Sequence, residues 1–194
     1  DGASSSSSGL EQFEMDFLYT FDDQLSAQVD LEYQDDGATD SDGDELGPVT
    51  DIEQAFFTYA LSDTTSVKAG RFLSYSGWET EEPTGLFQYS GTGYAAYFYG
   101  GYQQGVSGMY SGDTVSLALS VVNDLGDLEG EFSDSTKPAI ETMIAFSPSD
   151  EITAKLFYST DENEALGEDI VLINFWAAYS MDALTLAAEY NMSE

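Results

Sequence analysis

The stretch LEQFEMDFLYTFDDQLSAQVDLEYQDD, residues 10–36, decides the fold class. Phe13, Met15, Phe17, Tyr19 and Phe21 fall on one side of a period of two, with Gln12, Glu14, Asp16 and Thr20 on the other. After the turn Asp22-Asp23-Gln24, Leu25, Ala27, Val29, Leu31 and Tyr33 alternate with Ser26, Gln28, Asp30 and Glu32. Successive side chains of a strand point to opposite faces, so the two runs read as a hairpin with one apolar face and one polar, acidic face. A soluble β-sandwich would turn the apolar face inward and a membrane β-barrel would turn it out to lipid. Periodicity is the same in both, so the connections have to separate them.

Working outward, the same alternation returns in Ile52–Leu61, Ser66–Phe72, Gln104–Tyr110, 114–122, Ala139–Ser147, 152–159, 170–179 and 184–191, about ten strands in all. Short turns of three or four residues alternate with longer connections of roughly nine to thirty, which is the pattern of an outer-membrane barrel, with turns at one end and loops at the other. A Greek-key sandwich mixes the two lengths less regularly. Tyr19, Phe21, Tyr59, Tyr110, Phe146 and Tyr179 lie beside the short turns, and Tyr33, Tyr158 and Tyr190 lie at opposite strand ends, as two interfacial aromatic girdles would. The fold expected is therefore all-β, an antiparallel up-and-down transmembrane β-barrel forming one domain over residues 1–194.

Composition narrows the function. The chain carries 37 Asp plus Glu against 4 Lys plus Arg, a formal net charge of -33, which disfavours a nucleic-acid partner because phosphate binding is carried by Lys and Arg. It has no cysteine and no histidine, which removes thiolate sites, zinc-histidine sites and serine-histidine catalysis. Aromatics at 14% set it apart from acidic disordered chains. No apolar run reaches the length of a membrane helix, a fact that leaves barrels untouched.

Between Phe72 and Gln103 alternation lapses. Loop 73–101 is rich in Gly, Tyr and acidic residues, and its aromatics argue for an ordered insertion; it is the candidate constriction loop, with Trp78, Glu79, Glu81, Glu82, Phe87 and Tyr89 as its candidate pore residues.

These segments carry a family likeness. VKAGRF (67–72), SGWETEEPTGLFQYSGTGY (76–94), the hairpin of residues 10–36 and the closing NFWAAYSMDALTLAAEYN (174–191) together resemble the Putative beta-barrel porin-2 family, relatives of the phosphate-selective porins O and P of Gram-negative outer membranes. The resemblance spans nearly the whole chain and implies passive, non-enzymatic diffusion of small solutes through a trimeric pore in the bacterial outer membrane, in contact with its lipid. A phosphate-selective pore would need several inward lysines, which this sequence lacks.

If the apolar faces meet lipid, Glu14, Asp16, Asp30, Glu32, Glu141 and Glu189 line the lumen with Lys68 and Lys155, and a cation preference is expected. Alternatively, some of these carboxylates only satisfy neighbours in a packed wall. Arg71 joins the pore-lining set if Gly70 hosts a bulge; strict alternation instead leaves it with Val67 and Ala69 on the lipid side, to snorkel at the rim. Asp40, Asp42, Asp44 and Glu45 have the every-second-residue oxygen spacing of a Ca²⁺ loop, without its bidentate Glu, so a solvated acidic loop is the alternative. No cofactor is required. The rival reading of the whole chain is a secreted acidic β-sandwich binding calcium or glycans, and a third is a barrel with a plugged lumen. Placing all short turns on one side puts both chain ends at the loop side, whereas bacterial barrels normally keep their termini periplasmic; an internal fragment of a larger barrel is therefore expected.

Overall fold

Every alternating segment forms a strand. In the computed structural model these are β1 (Gln12–Thr20), β2 (Leu25–Gln34), β3 (Val49–Ala60), β4 (Thr65–Leu73), β5 (Tyr102–Ser111), β6 (Val115–Val122), β7 (Ala139–Ser149), β8 (Ile152–Asn163), β9 (Glu168–Met181) and β10 (Leu184–Ser193). Residues 10, 12–35, 47, 49–79, 98–123, 137–163 and 168–194 are described. The strands make one antiparallel sheet in the order β1 to β10, each paired with its neighbours in sequence. This is an up-and-down sheet, open at β1 and β10, consistent with a segment of a larger barrel. The sandwich reading fails here, because the described strands form one sheet with none stacked across it.

Two adjacent cross-strand rows show how the sequence is sorted. Thr20, Ser26, Thr58, Lys68, Ser107, Ser120, Glu141 and Ser159 are successive partners from β1 to β8. The next row holds Tyr19, Ala27, Phe57, Ala69, Val106, Val121 and Ile140. One face is thus polar and the other apolar across the width of the sheet. Phe57, Val106, Val121, Ile144, Leu156, Phe175 and Leu186 on the apolar face are all exposed, more apolar surface than a soluble monomer leaves open. Beside the short turns, Tyr19 and Phe21 meet edge-on with ring centroids 4.7 Å apart, and Phe21 lies 6.3 Å from Phe57.

Two features depart from the sequence reading. The connection between the strands read at 152–159 and 170–179 is shorter, since the β8–β9 ladder continues to Asn163 opposite Glu168. Pro148 sits inside β7 and not in the turn; the β7–β8 register shifts between Phe146 and Ser149, and a bulge is where a strand tolerates a residue that cannot donate to the ladder.

Candidate functional site: the polar inner wall

The polar face carries a strap. After β4 the chain crosses this face through Ser74–Glu79 and returns through residues 98–101, and the two limbs are tied together by Ser74 N donating to Gly101 O at 2.9 Å and Gly100 N to Ser76 Oγ at 2.8 Å. The wall holds the strap at successive strands. Glu141 of β7 accepts from Ser74 Oγ at 2.5 Å and Tyr75 N at 3.4 Å, and from Gln103 Nε2 and Ser120 Oγ within the wall. Lys155 Nζ of β8 donates to Tyr75 O at 2.8 Å and lies 5.2 Å from the Trp176 ring. Asn174 Oδ1 of β9 accepts from Gly77 N at 3.1 Å, and Glu189 of β10 accepts from Trp78 N at 3.1 Å and Tyr99 Oη at 2.6 Å. The Trp78 and Trp176 rings meet edge-on at 4.9 Å.

These bonds fix the curvature of the sheet. Leu73 still pairs with Tyr102 in β5, while Trp78, five residues on, bonds Glu189 in β10. On a flat sheet β4 and β10 would lie about 29 Å apart, six spacings of about 4.8 Å, yet five extended residues span at most about 18 Å. The difference exceeds the reach of a glutamate side chain, so the sheet is concave toward the strap and its polar face is an interior. Gly70 belongs to this tight wall: its φ is 133°, and a Cβ there would press into Ala55 O and Phe56 Cα of β3.

The registers place Glu14 opposite Glu32, Asp16 opposite Asp30, Asp30 opposite Gln54, Lys68 opposite Ser107, and Lys155 and Glu189 both opposite Trp176, all on the polar face. Lys68 Nζ sits over Phe56 at 4.6 Å, with Phe72 and Tyr75 at 5.3 and 5.4 Å, so it is held by ring faces. Glu141 is fully buried beneath the strap. Trp78 and Glu79 lie on the strap, with Glu79 buried.

Arg71 is a correction. The β3–β4 and β4–β5 ladders run through Gly70 without a register shift, so no bulge turns Arg71 inward and it stays on the face of Val67 and Ala69. There Nε donates to Glu53 O at 3.0 Å, a terminal nitrogen lies 3.9 Å from Asp51 Oδ2, and the guanidinium is 5.8 Å from the Tyr102 ring. Asp40, Asp42, Asp44, Glu45, Glu81, Glu82, Phe87 and Tyr89 lie outside the described residues. Sequence reasoning missed Asn174, which binds the strap and also donates Nδ2 to Glu189 Oε1 at 2.5 Å and Asn191 Oδ1 at 2.6 Å. The available signal was a lone amide in the otherwise apolar run IVLINFWAAY.

The fold is that of known porins. The Salmonella typhi OmpF solved in complex with Daunomycin superposes with a TM-score of 0.66 at 17% sequence identity, over 94% of this chain and 57% of that one. The chain thus spans little more than half the length of that porin. The Vibrio cholerae outer membrane protein OmpT, in its trimer form, matches with a TM-score of 0.42 and 14% identity, over 94% of this chain and 69% of that one. No curated protein sequence matches the chain. Residues 10–194 match the family described as Putative beta-barrel porin-2, OmpL-like. With an outward apolar face, a polar concave interior and a match over nearly its full length, the chain belongs to this family of β-barrel porins of the bacterial outer membrane.

Proposed function

We propose that the chain forms the wall of a non-enzymatic diffusion pore for small solutes and ions, that the pore prefers cations, and that it works as a homo-oligomer, a trimer by family resemblance. The observation that carries this reading is the pair of cross-strand rows: Ser, Thr, Lys and Glu inside, aromatic and aliphatic residues outside. A wall of this kind satisfies lipid on one side and water on the other. Cation preference follows from the inner charges. Glu141 is spent on the strap, and Lys68 and Lys155 are held by rings and a carbonyl, while Asp16 is exposed and Glu32 half-buried on the polar face. Charges of one sign around a pore select the opposite ion. The strap, with Trp78 and Glu79, supplies the constriction.

Reconstitution in planar bilayers with a KCl gradient tests the reading. A stepwise conductance with a reversal potential of cation-selective sign is expected. Anion selectivity would remove the charge argument, and a folded protein without conductance would make the barrel a plugged, structural one.

A further inference from the structure

The inner wall of β1 and β2 is unusual in its charge. Asp16 stands directly opposite Asp30 and Glu14 directly opposite Glu32, two like-charged cross-strand pairs in succession on one face. Like charges directly opposite destabilise a sheet. β1, β2 and β3 themselves contribute no lysine or arginine to offset them. One carboxylate oxygen each from Glu14, Asp16 and Asp30 lie within 4.8 Å of one another. Asp30 is 1% exposed, and while Oδ2 accepts from Gln28 Nε2 at 2.8 Å and Gln54 Nε2 at 2.7 Å, its buried Oδ1 has no hydrogen-bond partner. A buried charged oxygen without a partner is costly, and most such atoms in folded proteins are satisfied by a hydrogen bond or an ion.

We propose that Glu14, Asp16 and Asp30 hold a resident hard divalent cation, Ca²⁺ in class, on the inner wall of the pore. Oxygen-only ligands of this charge suit Ca²⁺, whose ligands stand at about 2.3 to 2.6 Å and tolerate irregular geometry, so a separation of up to 4.8 Å between ligand oxygens can be bridged by one ion. Mg²⁺ demands a tighter octahedron and gives up water reluctantly. The amides of Gln28 and Gln54 then serve as an outer layer that orients Asp30, leaving Oδ1 for the metal. The ion would also relieve the repulsion that the register imposes on β1 and β2. This site is separate from the acidic run at residues 40–45, and it rests on the wall geometry alone, whatever the ion preference of the pore.

The test is equilibrium dialysis of Ca²⁺ against the folded, detergent-solubilised protein stripped with EDTA, at about 0.5 M KCl to screen diffuse binding to a chain of this charge. One saturable Ca²⁺ per chain is expected, weakened at least about tenfold in Asp16→Asn and Asp30→Asn. Asp63→Asn, in a turn, should bind as wild type does. Asp16 lies on an exposed part of β1, so its variant keeps the test open should Asp30→Asn misfold. Absence of saturable Ca²⁺ in the wild type, or unchanged binding in folded Asp16→Asn, would overturn the site. A site filled as tightly by Mg²⁺ would overturn the assignment to Ca²⁺.

Discussion

At Gly77 the backbone has a φ of 83°, and a Cβ there would lie 2.5 Å from Tyr99 Cε2. Both facts forbid a side chain, and the residue sits at the point where the strap meets Asn174. Gly77→Ala should cost the strap about 1 to 2 kcal/mol from the left-handed conformation alone, with the clash in addition. The barrel should still fold, conductance should rise, and the near-ultraviolet signal of the Trp78–Trp176 pair should weaken; unchanged conductance and signal would deny the strap its role. In the first short turn, Asp22 Oδ1 accepts from the backbone N–H groups of Gln24 and Leu25, both at 2.8 Å, which holds its carboxyl below the ordinary 3.8. A pKa lowered by folding gives stability that is present above the unfolded value and lost as pH falls through the lower folded value. The wild type should therefore exceed Asp22→Asn in denaturant midpoint at neutral pH, with the gap closing below about pH 4. Legibility at this scale is uneven. The shared polar face of Glu14, Asp30 and Glu189 follows from alternation, whereas the partnership of Asn174 with Gly77, or Glu141 with Ser74, depends on curvature that no local pattern encodes.

Among the elements, apolar alternation marks only part of each strand and not the whole of it. β9 has 14 residues, more than the 9 to 11 that a tilted strand needs to cross the hydrocarbon. Its first residues pair with β8 through Glu162 opposite Asp169 and Asn163 opposite Glu168, where the pattern of two disappears from the sequence while the ladder persists. The last long connection is therefore shorter than alternation alone implies. The same reasoning gives a sharp test of face. Leu119, near the middle of β6, is exposed on the apolar face, and Thr153 of β8 lies on the polar face. Leu119→Arg should cost roughly 2 to 4 kcal/mol in refolding titrations into lipid, and Thr153→Arg should cost far less. Equal costs would contradict the assignment of faces. The β9–β10 turn adds a second element-scale prediction: Asp182 has a φ of 50°, tolerable for Asp but poor for a β-branched residue, so Asp182→Val should lower stability by about 1 to 2 kcal/mol.

Among the described residues, Glu14, Asp16, Asp30, Glu32, Glu141 and Glu189 share the polar face, and most of the outward face is left to aromatic and aliphatic side chains. Fold class was legible because this sorting is written in every strand. The open edges at β1 and β10 are a property of the sheet that pairing shows directly, and in hydrocarbon such edges require partner strands. The central claim is that one face of each strand meets water and the other lipid. The protein has no cysteine, so any introduced thiol is the only one present. Single variants Phe57→Cys and Thr58→Cys in β3, Leu117→Cys and Ser116→Cys in β6, and Ile152→Cys and Thr153→Cys in β8 sample both faces of three strands. Labelling in intact outer membranes with a hydrophilic maleimide should modify Thr58→Cys, Ser116→Cys and Thr153→Cys and spare their neighbours; equal labelling within each pair, or the reverse order, would contradict the account.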